Sequence, residues 1–344
     1  MSYATKYSTK TTMTNELFYM LTTKRPGWSK GEERFITEYI DTLPGVLLDD
    51  YGNRHVTIGS APVIWSSHTD SVHSDSGFQM IAKDGDMIRL HRHEKSSCLG
   101  ADCATGVWLM RHMILRGVQG HYIFHRDEES GGLGSSWLAN NLAKGFEPFH
   151  YAIALDRKGY SSVITHQGGR CCSNTFASAL AKQLGDKYAP DSTGLFTDTA
   201  NYTSLVPECT NLSVGYGAQH TSNEQQNVRF ALELLEKLTV LDISSLPVER
   251  KTTDTDYAPI DWKKYYPDYY KRYDTPVTKR RGTNYSTHTP VVPLDDWMHS
   301  EPLARAKRSN HDELLEMCKN RPDVVADWLD TYGITADEIE GGHF

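Results

Sequence analysis

The sequence has few cysteines, no long hydrophobic run and no excess of basic residues. Six cysteines among 344 residues, two of them adjacent, do not match the disulfide framework of a secreted protein, so we expect reduced thiols. No segment reaches the roughly 18 apolar residues of a membrane span, and the N-terminus has no apolar export signal. The chain carries 36 basic and 44 acidic residues, a net charge of −8, which argues against general binding to nucleic acid or anionic membranes. We therefore expect a cytoplasmic protein.

The composition is that of an ordinary globular protein, with 38% hydrophobic and 23% charged residues. Two short helices are predicted between residues 13 and 42, on either side of a break at Pro26-Gly27. Short β-rich runs follow up to residue 90, and helical and strand patterns alternate from residue 104 to about 246. This order predicts an α/β fold, a three-layer sandwich around a mixed, largely parallel central sheet.

The predicted element boundaries follow the apolar runs and the glycines that end them. Strands are predicted at residues 54–58, 62–65, 78–81, 87–90, 121–124, 151–155, 161–166 and 210–216. Helices are predicted from about residue 105 to 117, and at residues 135–145, 172–185 and 224–241. The regular pattern ends near Leu246, where we place the end of the first domain.

The remainder of the chain differs in composition from this domain. Residues 247–300 carry seven of the 19 tyrosines, several prolines and the basic run Lys279-Arg280-Arg281, which predicts a linker or wrapping arm. Such an arm either packs on the surface of its own domain or binds a partner. Residues 301–344 return to helical patterns and include a capping box at 335–338, which predicts a small helical module that offers a site for a protein partner.

Five groups of acidic residues and histidines each follow a predicted strand or precede a helix, where α/β sheets place their sites. The groups are His68 with Asp70, Asp102, the run Asp127-Glu128-Glu129, Asp156, and His220. Taken singly, several have ordinary explanations, because the first pair fits a surface loop and the second group fits a helix N-cap. The run of three acids is harder to explain, because adjacent carboxylates beside a core repel one another unless cations or protons compensate.

In order along the chain, these groups form the series HTD, GADxxxG, DEESG, a strand-ending Asp and GYxxxHTxxE. The series resembles that of the zinc-dependent exopeptidases with a co-catalytic two-metal site. That superfamily includes the bacterial leucyl aminopeptidases, peptidase T, the glutamate carboxypeptidases and the acylamino-acid deacylases. The match covers about residues 30–245, and the predicted strand and helix context agrees at every motif. One such motif alone arises by chance, whereas five in the family's order make a specific signal.

The resemblance implies a role for each matching residue. The implied metal ligands are Asp102, which would bridge two divalent ions, His68 and Asp156 on one ion, and Glu129 and His220 on the other. Glu128 would be the general base, and Asp70 would orient the ligating histidine that precedes it. The charges of two divalent ions would balance those of three ligand carboxylates and a shared hydroxide. Oxygen and imidazole ligands suit zinc best, with manganese or cobalt as alternatives.

The implied activity is hydrolysis of a peptide or amide bond by a water that two metal ions activate. Carboxypeptidases and deacylases of the superfamily insert a lid or dimerisation domain between the ligands that correspond to Asp156 and His220, which lie only 64 positions apart here. Residues 1–246 therefore resemble the single-domain aminopeptidase branch, whose substrates are peptides. The alternatives are a deacylase or carboxypeptidase acting on a small amide, and a metal-retaining binding protein that acts through its C-terminal extension.

Several further positions are less well defined. Many relatives carry a second Asp directly after the bridging one, and the peptide bond between the two is often cis. This chain has Cys103 at that position. The resemblance implies that the backbone of Cys103 matters most, and the alternative is that its thiol binds a metal ion. Thr197-Asp198 falls where aminopeptidases often carry a Ser-Asp motif near the substrate. Arg170 either holds a substrate carboxylate or lies on the surface. His91 and His93 alternate along a predicted strand, which favours an exposed hairpin over a metal site.

Overall fold

The computed structural model describes residues 10–254. The side chains of residues 10, 11 and 103 lie outside that description, and so does the predicted role of the Cys103 thiol. Most of the predicted arm at 247–300 and all of the predicted helical module at 301–344 also lie outside the described residues. Of the described helices, none is both long enough and apolar enough to cross a bilayer.

Six α-helices form within residues 10–254. They are α1 (Lys10–Met20), α2 (Lys30–Phe35), α3 (Ala101–Leu115), α4 (Leu133–Asn141), α5 (Asn174–Leu184) and α6 (Val228–Thr239). A π-helical turn, Ile36–Ile40, continues α2, and 3-10 turns cover Ala143–Phe146, Asp198–Tyr202 and Ile243–Ser245. Ser173 and Asn227 begin α5 and α6, because each side-chain oxygen accepts a hydrogen bond from a first-turn amide.

The strands form one large sheet and two small ones. The strands are β1 (Thr23–Lys24), β2 (Leu47–Leu48), β3 (Arg54–Ile58), β4 (Val63–His68), β5 (Gly77–Phe78), β6 (Ile81–Asp84), β7 (Met87–Leu90), β8 (Gly120–His125), β9 (Tyr151–Arg157), β10 (Ser162–Ile164), β11 (Ala189–Asp191), β12 (Glu208–Ser213), β13 (Tyr216–Gly217) and β14 (Gln225–Asn227). The large sheet has the order β11-β10-β12-β9-β4-β8-β3-β2, and its central strands β12, β9, β4 and β8 run parallel. The pairs β10–β12, β3–β8 and β2–β3 are antiparallel. The predicted mixed, largely parallel sheet is therefore confirmed.

Helices flank the central sheet, and one glycine allows the closest approach. On one side, Ile64 of β4 packs in a buried cluster with Leu138 of α4 and with Phe146. Helix α3 packs against β4 and β9 and against α1 and α6. A Cβ atom on Gly106 of α3 would lie 2.1 Å from the Leu155 carbonyl oxygen, so only glycine lets this helix lie so close to β9. This approach brings the first turn of α3 to the edge of the sheet.

Three predicted boundaries near the candidate site are wrong, because the elements continue through polar residues that are buried there. Strand β4 continues past residue 65 to His68, and β9 continues past residue 155 to Arg157. Helix α3 begins at Ala101 rather than near residue 105, and its N-cap is Gly100, with φ 74°. Asp102 therefore lies in the first turn of α3 and is not an N-cap. A polar residue interrupts the apolar pattern that predicts a strand or a helix. The strand or helix itself continues where its polar residues are buried together.

Other boundaries differ where short strands pair with distant partners. The predicted strand at 78–81 divides into β5, which pairs with β1, and β6, which pairs with β7. Residues 225–227 pair with β7 instead of beginning the predicted helix, so α6 starts at Val228. The predicted strand at 210–216 begins earlier, at Glu208, and ends at Ser213. Strand β11 has no sequence signal, because two of its three residues are exposed and one is proline.

The segment after Leu246 stays attached to the sheet. The buried Glu208 Oε1 accepts hydrogen bonds from the backbone amides of Glu249, at 2.8 Å, and Arg250, at 2.9 Å. The Arg250 guanidinium in turn donates to the Cys171 carbonyl oxygen at 3.0 Å, and this arginine is only 5% exposed. Residues 249–250 thus pack with the first domain, while the domain boundaries themselves remain a prediction.

Candidate metal centre

His68 and Asp156 meet at the carboxyl ends of two neighbouring parallel strands, β4 and β9. The Nδ1 atom of His68 lies 3.1 Å from the carbonyl oxygen of Asp70 and 3.4 Å from its Oδ1. The other ring nitrogen, Nε2, lies 3.4 Å from Asp156 Oδ1. Because the Nδ1–H group has acceptors, the Nε2 lone pair is directed at the same space as the Asp156 oxygen.

The second oxygen of Asp156 is occupied by protein donors. Thr197 Oγ1 donates to Oδ2 at 2.8 Å, and Asn211 Nδ2 lies 3.4 Å from the same oxygen. Asn211 Oδ1 also accepts the backbone amide of Asp156 at 3.0 Å. These contacts fix the carboxylate so that Oδ1 alone faces the site.

Asp102 and His220 reach the same site from α3 and from the loop after β13. His220 Nε2 lies 2.7 Å from Asp102 Oδ2 and 3.0 Å from Glu129 Oε1. His220 has φ 61°, a left-handed conformation that is uncommon for a residue with a side chain. Such strain is typical of functional positions.

The acidic run forms a tight loop that Asp70 holds in place. The Glu128 amide donates to Asp70 Oδ1 and the Glu129 amide donates to Oδ2, each at 3.2 Å. Asp127, with φ 60°, precedes them, and its Oδ2 accepts hydrogen bonds from Tyr51 Oη at 2.6 Å and from the Trp28 indole. The Asp127 side chain therefore points to the N-terminal segment and is not directed at the proposed ligands.

The donor atoms fit a pair of divalent cations. Three groups each have ligand atoms within 4.8 Å of one another: His68–Asp102–Asp156, Asp102–Glu129–His220 and His68–Glu128–Glu129. The first two groups share Asp102, the residue that the resemblance assigns to both ions. Glu129 Oε1 is buried and, despite its nearness to His220, forms no well-directed hydrogen bond with any described residue. An oxygen so placed is what a cation site requires, and nitrogen with carboxylate donors suits zinc.

The protonation states within this cluster depend on one another. Burial opposes ionisation of Asp102, yet the hydrogen bond from His220 holds its pKa at about 2. The contacts with Asp102 and Glu129 raise the pKa of His220 to about 10. Burial, followed by the Asp102 charge, raises the pKa of Glu129 to about 7, and burial raises the pKa of Glu128 well above its usual range. Acids placed in this way favour a compensating proton or cation.

A pocket of about 350 Å³ opens onto these groups. Its lining includes the acids Asp102, Glu128, Glu129 and Asp156, with His220, and the cations Arg157 and Lys158. Apolar side chains, Ile164, Leu195, Phe196 and Tyr216, line the remainder together with smaller and polar residues. The pocket therefore presents the cluster of acids with His220, two basic groups and an apolar surface.

Neither residue predicted to bind substrate lines this pocket. Asp198 is 1% exposed, its Oδ2 lies 3.3 Å from His125 Nδ1, and burial raises its pKa to about 7. Arg170 donates from Nη1 to Asn174 Oδ1 at 3.1 Å. A substrate contact of either side chain stays a prediction. Both residues lie between β10 and β12 in the sequence. Tertiary packing determines that Asp198 is buried and that Arg170 contacts Asn174.

The other histidines singled out in the sequence lie elsewhere. His91 and His93 come directly after β7 with their rings 5.4 Å apart, in a turn rather than along a strand. The described metal-binding groups include neither of them. Their placement in a turn therefore agrees better with the expected exposed hairpin than with the alternative of a metal site.

Sequence reasoning assigned no role to Glu224, although it belongs to the last motif. Glu224 Oε2 accepts the amides of Leu99, at 2.9 Å, and Gly100, at 3.0 Å, and Oε1 accepts the amide of Ala101 at 3.1 Å. This buried carboxylate thereby satisfies the first amides of α3, the helix that carries Asp102. Its place in GYxxxHTxxE is the one signal that could have identified it.

No protein-family model matches the sequence, and no curated protein matches it. The structure is similar to that of aminopeptidase PepT from Bacillus cereus, with a TM-score of 0.54 and 14% identity over 67% of this chain and 97% of that one. A tripeptidase from Staphylococcus aureus gives a TM-score of 0.54 and 13% identity, over 67% of this chain and 97% of its own. At these identities the similarity shows the fold alone. The fold that the motifs implied is therefore confirmed.

Proposed function

We propose that this chain is a metal-dependent exopeptidase, an aminopeptidase that hydrolyses short peptides. One observation carries the proposal: two groups of donor atoms share Asp102 beside a pocket that Glu128 also lines. His68 and Asp156 would complete one ion's ligands, and Glu129 and His220 the other's. Zinc is the proposed metal, with manganese or cobalt as alternatives for the same donors.

The residues of the chain divide the chemistry between them. When bound, two divalent cations supply the Lewis acidity that activates water and polarises a carbonyl group. Glu128 lies outside both groups that share Asp102, so its carboxylate is available to accept a proton from water and return it to the leaving amine. Asp70 keeps the Nδ1 proton of His68 in place and holds the loop that presents Glu128.

Two alternatives use the same site in different ways. A deacylase or carboxypeptidase would cleave an amide whose amine is blocked or whose carboxylate is free. A metal-retaining binding protein would hold both ions without turnover and act through residues beyond 246. These alternatives differ in substrate charge and in turnover, so one set of substrates separates them.

The test uses the full-length protein reconstituted with zinc and assayed with aminoacyl amides, the matching N-acetyl aminoacyl amides and dipeptides. We expect cleavage only where the amine is free, loss of activity with a chelator, and recovery when zinc is added back. Cleavage confined to the N-acetyl compounds would identify a deacylase instead. Absence of turnover by protein that holds two zinc ions would favour the binding protein.

A further inference from the structure

Two consecutive cations, Arg157 and Lys158, follow the proposed ligand Asp156 and line the same pocket. Arg157 is the last residue of β9 and is half-buried, whereas Lys158 is exposed. Neither side chain forms an ion pair within residues 10–254. Two basic groups beside the proposed ligands, with no ion pair to either among the described residues, are open to an anionic ligand from solution.

The Arg157 guanidinium is anchored but not saturated. Its Nη2 atom donates to the carbonyl oxygen of Thr193 at 3.2 Å and to Oγ1 at 3.0 Å. These bonds tie it to the loop whose next residues, 194–196, also line the pocket. Its Nε atom is buried and has no hydrogen-bond partner among the described residues. A planar guanidinium that is held through one nitrogen and has an unpaired N–H group on another is suited to binding a carboxylate.

One acid near Arg157, Asp191, does not neutralise the charge of the guanidinium. Asp191 has its pKa lowered despite partial burial, chiefly by hydrogen bonds from Ser162 and Thr193, and Arg157 contributes least of the causes. Both Asp191 oxygens already accept hydrogen bonds, Oδ2 from Ser162 Oγ and Oδ1 from the Thr193 amide. Asp191 therefore leaves the guanidinium available to a ligand.

Charge balance in the pocket points the same way. The lining includes four acids, Asp102, Glu128, Glu129 and Asp156, which with a shared hydroxide would carry five negative charges against the four positive charges of two divalent ions. Arg157 and Lys158 would then leave the pocket positive. A positive pocket with a partly apolar wall favours a substrate that carries a carboxylate beside apolar atoms.

We propose that Arg157 and Lys158 bind a carboxylate of the substrate, and thereby select peptides that carry a free carboxylate close to the scissile bond. The inference rests on the proposed peptidase function and specifies its substrate class. The carboxylate has two possible sources in a peptide, the C-terminus of a dipeptide or the side chain of an acidic N-terminal residue. Both sources present the same two oxygens, so the experiment has one arm for each.

The test compares full-length, zinc-reconstituted wild type with the variants Arg157→Gln and Lys158→Gln. The first arm uses the dipeptide Leu-Gly and its C-terminal amide, and the second uses the p-nitroanilides of glutamate and glutamine. In the arm whose carboxylate the pocket binds, we expect the KM of the acidic substrate to rise roughly tenfold in each variant, while its kcat changes little. The KM and kcat of the neutral substrate in that arm should not change. Arg157→Lys, which keeps the charge, should restore part of the loss. The matched control is Lys187→Gln, an exposed lysine that lies 3.6 Å from Glu233.

A binding measurement separates failure of this inference from failure of the proposed function. In zinc-loaded Glu128→Gln protein, which keeps the ligands and is expected not to turn over, calorimetry should show Leu-Gly or glutamate p-nitroanilide binding more tightly than its neutral partner. The preference should disappear when Arg157→Gln is added. Because Lys158 is exposed, its variant tests the inference even if Arg157→Gln unfolds. Equal affinity for acidic and neutral partners in both arms would overturn carboxylate recognition, whether or not the wild type cleaves amides.

Discussion

The Oδ1 oxygen of Asp70 lies 3.2 Å from the backbone nitrogen of Glu128, whose N–H group donates to it. The same side chain accepts the Glu129 amide through Oδ2 and lies 3.4 Å from His68 Nδ1 through Oδ1. One carboxylate therefore positions a proposed ligand on β4 and the loop that carries both glutamates. Since Asp70 is only 1% exposed, water does not substitute for it.

Asp70→Asn should weaken the centre without unfolding the protein. The substituted amide keeps the shape of the side chain, but its NH₂ group cannot accept a hydrogen bond from a backbone amide. We expect zinc affinity and kcat to fall by about 10- to 100-fold each, the usual effect of removing a partner that orients a metal ligand. Zinc affinity is measured by competition with a chelating dye. The control is Asp75→Asn, an exposed residue paired with Lys24, and unchanged zinc binding in Asp70→Asn would contradict the positioning role.

Glu224→Ala should destabilise the start of α3. The substitution leaves three backbone amides without their acceptor, and we expect the free energy of unfolding to fall by about 1–3 kcal/mol, with weaker zinc binding because Asp102 loses its support. Glu224→Gln keeps one acceptor oxygen and should be intermediate. Urea denaturation measures the change, with Glu236→Ala on the exposed face of α6 as the control. Equal stability of Glu224→Ala and this control would show that the cap is unimportant.

The sequence motifs predicted the cluster of acids and histidines more accurately than the secondary-structure patterns predicted the elements around it. His68, Asp102 and Asp156 converge as the motif order implies, because parallel strands and α3 place their ends at one sheet edge. Their elements were misplaced because buried polar residues interrupt the apolar runs that mark strands and helices. The order of the motifs depends on the residues that the chemistry needs, so it identifies the cluster even where polar residues interrupt the hydrophobic pattern.

Asp70 was predicted to orient His68, but two other residues that support the site were not predicted, because their partners are distant in sequence. Thr197 reaches Asp156 across 41 positions, and Glu224 reaches Leu99 across 125. Such contacts depend on where the loops lie relative to the sheet edge, and the hydrophobic periodicity of the sequence does not predict the positions of loops. The same limit explains the burial of Asp198 beside His125, while its predicted substrate contact stays a prediction. Arg157 and Lys158 follow the proposed ligand Asp156 in the sequence, but only the pocket lining shows that both residues border the site.

Buried His73 should make folding stability pH-dependent. Burial and then the Arg25 charge lower its pKa from 6.5 to about 3, and its Nε2–H group donates to Gln79 Oε1. The unfolded chain therefore binds a proton below pH 6.5 that the folded chain does not bind until about pH 3. Stability is lost as the pH falls through this window, by up to about 1.4 kcal/mol per pH unit from this group.

Urea denaturation between pH 7 and pH 4 checks this expectation in wild type and His73→Gln. The variant should lose less stability than the wild type as the pH falls, because glutamine has no proton to gain. His93→Gln, an exposed histidine, is the control and should follow the wild type. Parallel pH profiles of wild type and His73→Gln would rule out the linkage.

The end of the first domain can be tested by truncation. A chain of residues 1–254 keeps Arg250 and both amides that bind Glu208, whereas a chain of residues 1–246 loses them. We expect the shorter chain to be less stable by at least about 2 kcal/mol, because the buried Glu208 carboxylate loses two backbone donors and keeps the Ser173 amide. Residues 1–254 should bind zinc as the full-length protein does. Equal melting temperatures for the two truncated chains would place the boundary at Leu246 after all.

The central claim is that two adjacent glutamates have different tasks, one as a metal ligand and the other as a base. Glu129 Oε1 lies 3.0 Å from His220 Nε2 within a group that includes Asp102, whereas Glu128 lies outside that group. Glu129→Gln should therefore lose part of its metal and recover partly with excess zinc. The exposed Glu147→Gln serves as the control for substitution alone.

The most direct measurement is zinc content by elemental analysis beside kcat, for full-length wild type, Glu128→Gln and Glu129→Gln. We predict two zinc ions per chain in wild type and in Glu128→Gln, with kcat of the latter lower by about 10²- to 10⁴-fold, as for loss of a general base. Glu129→Gln should hold fewer than two ions. Loss of zinc from Glu128→Gln with retention by Glu129→Gln would reverse the two roles, and a wild type without stoichiometric zinc would contradict the metal centre itself.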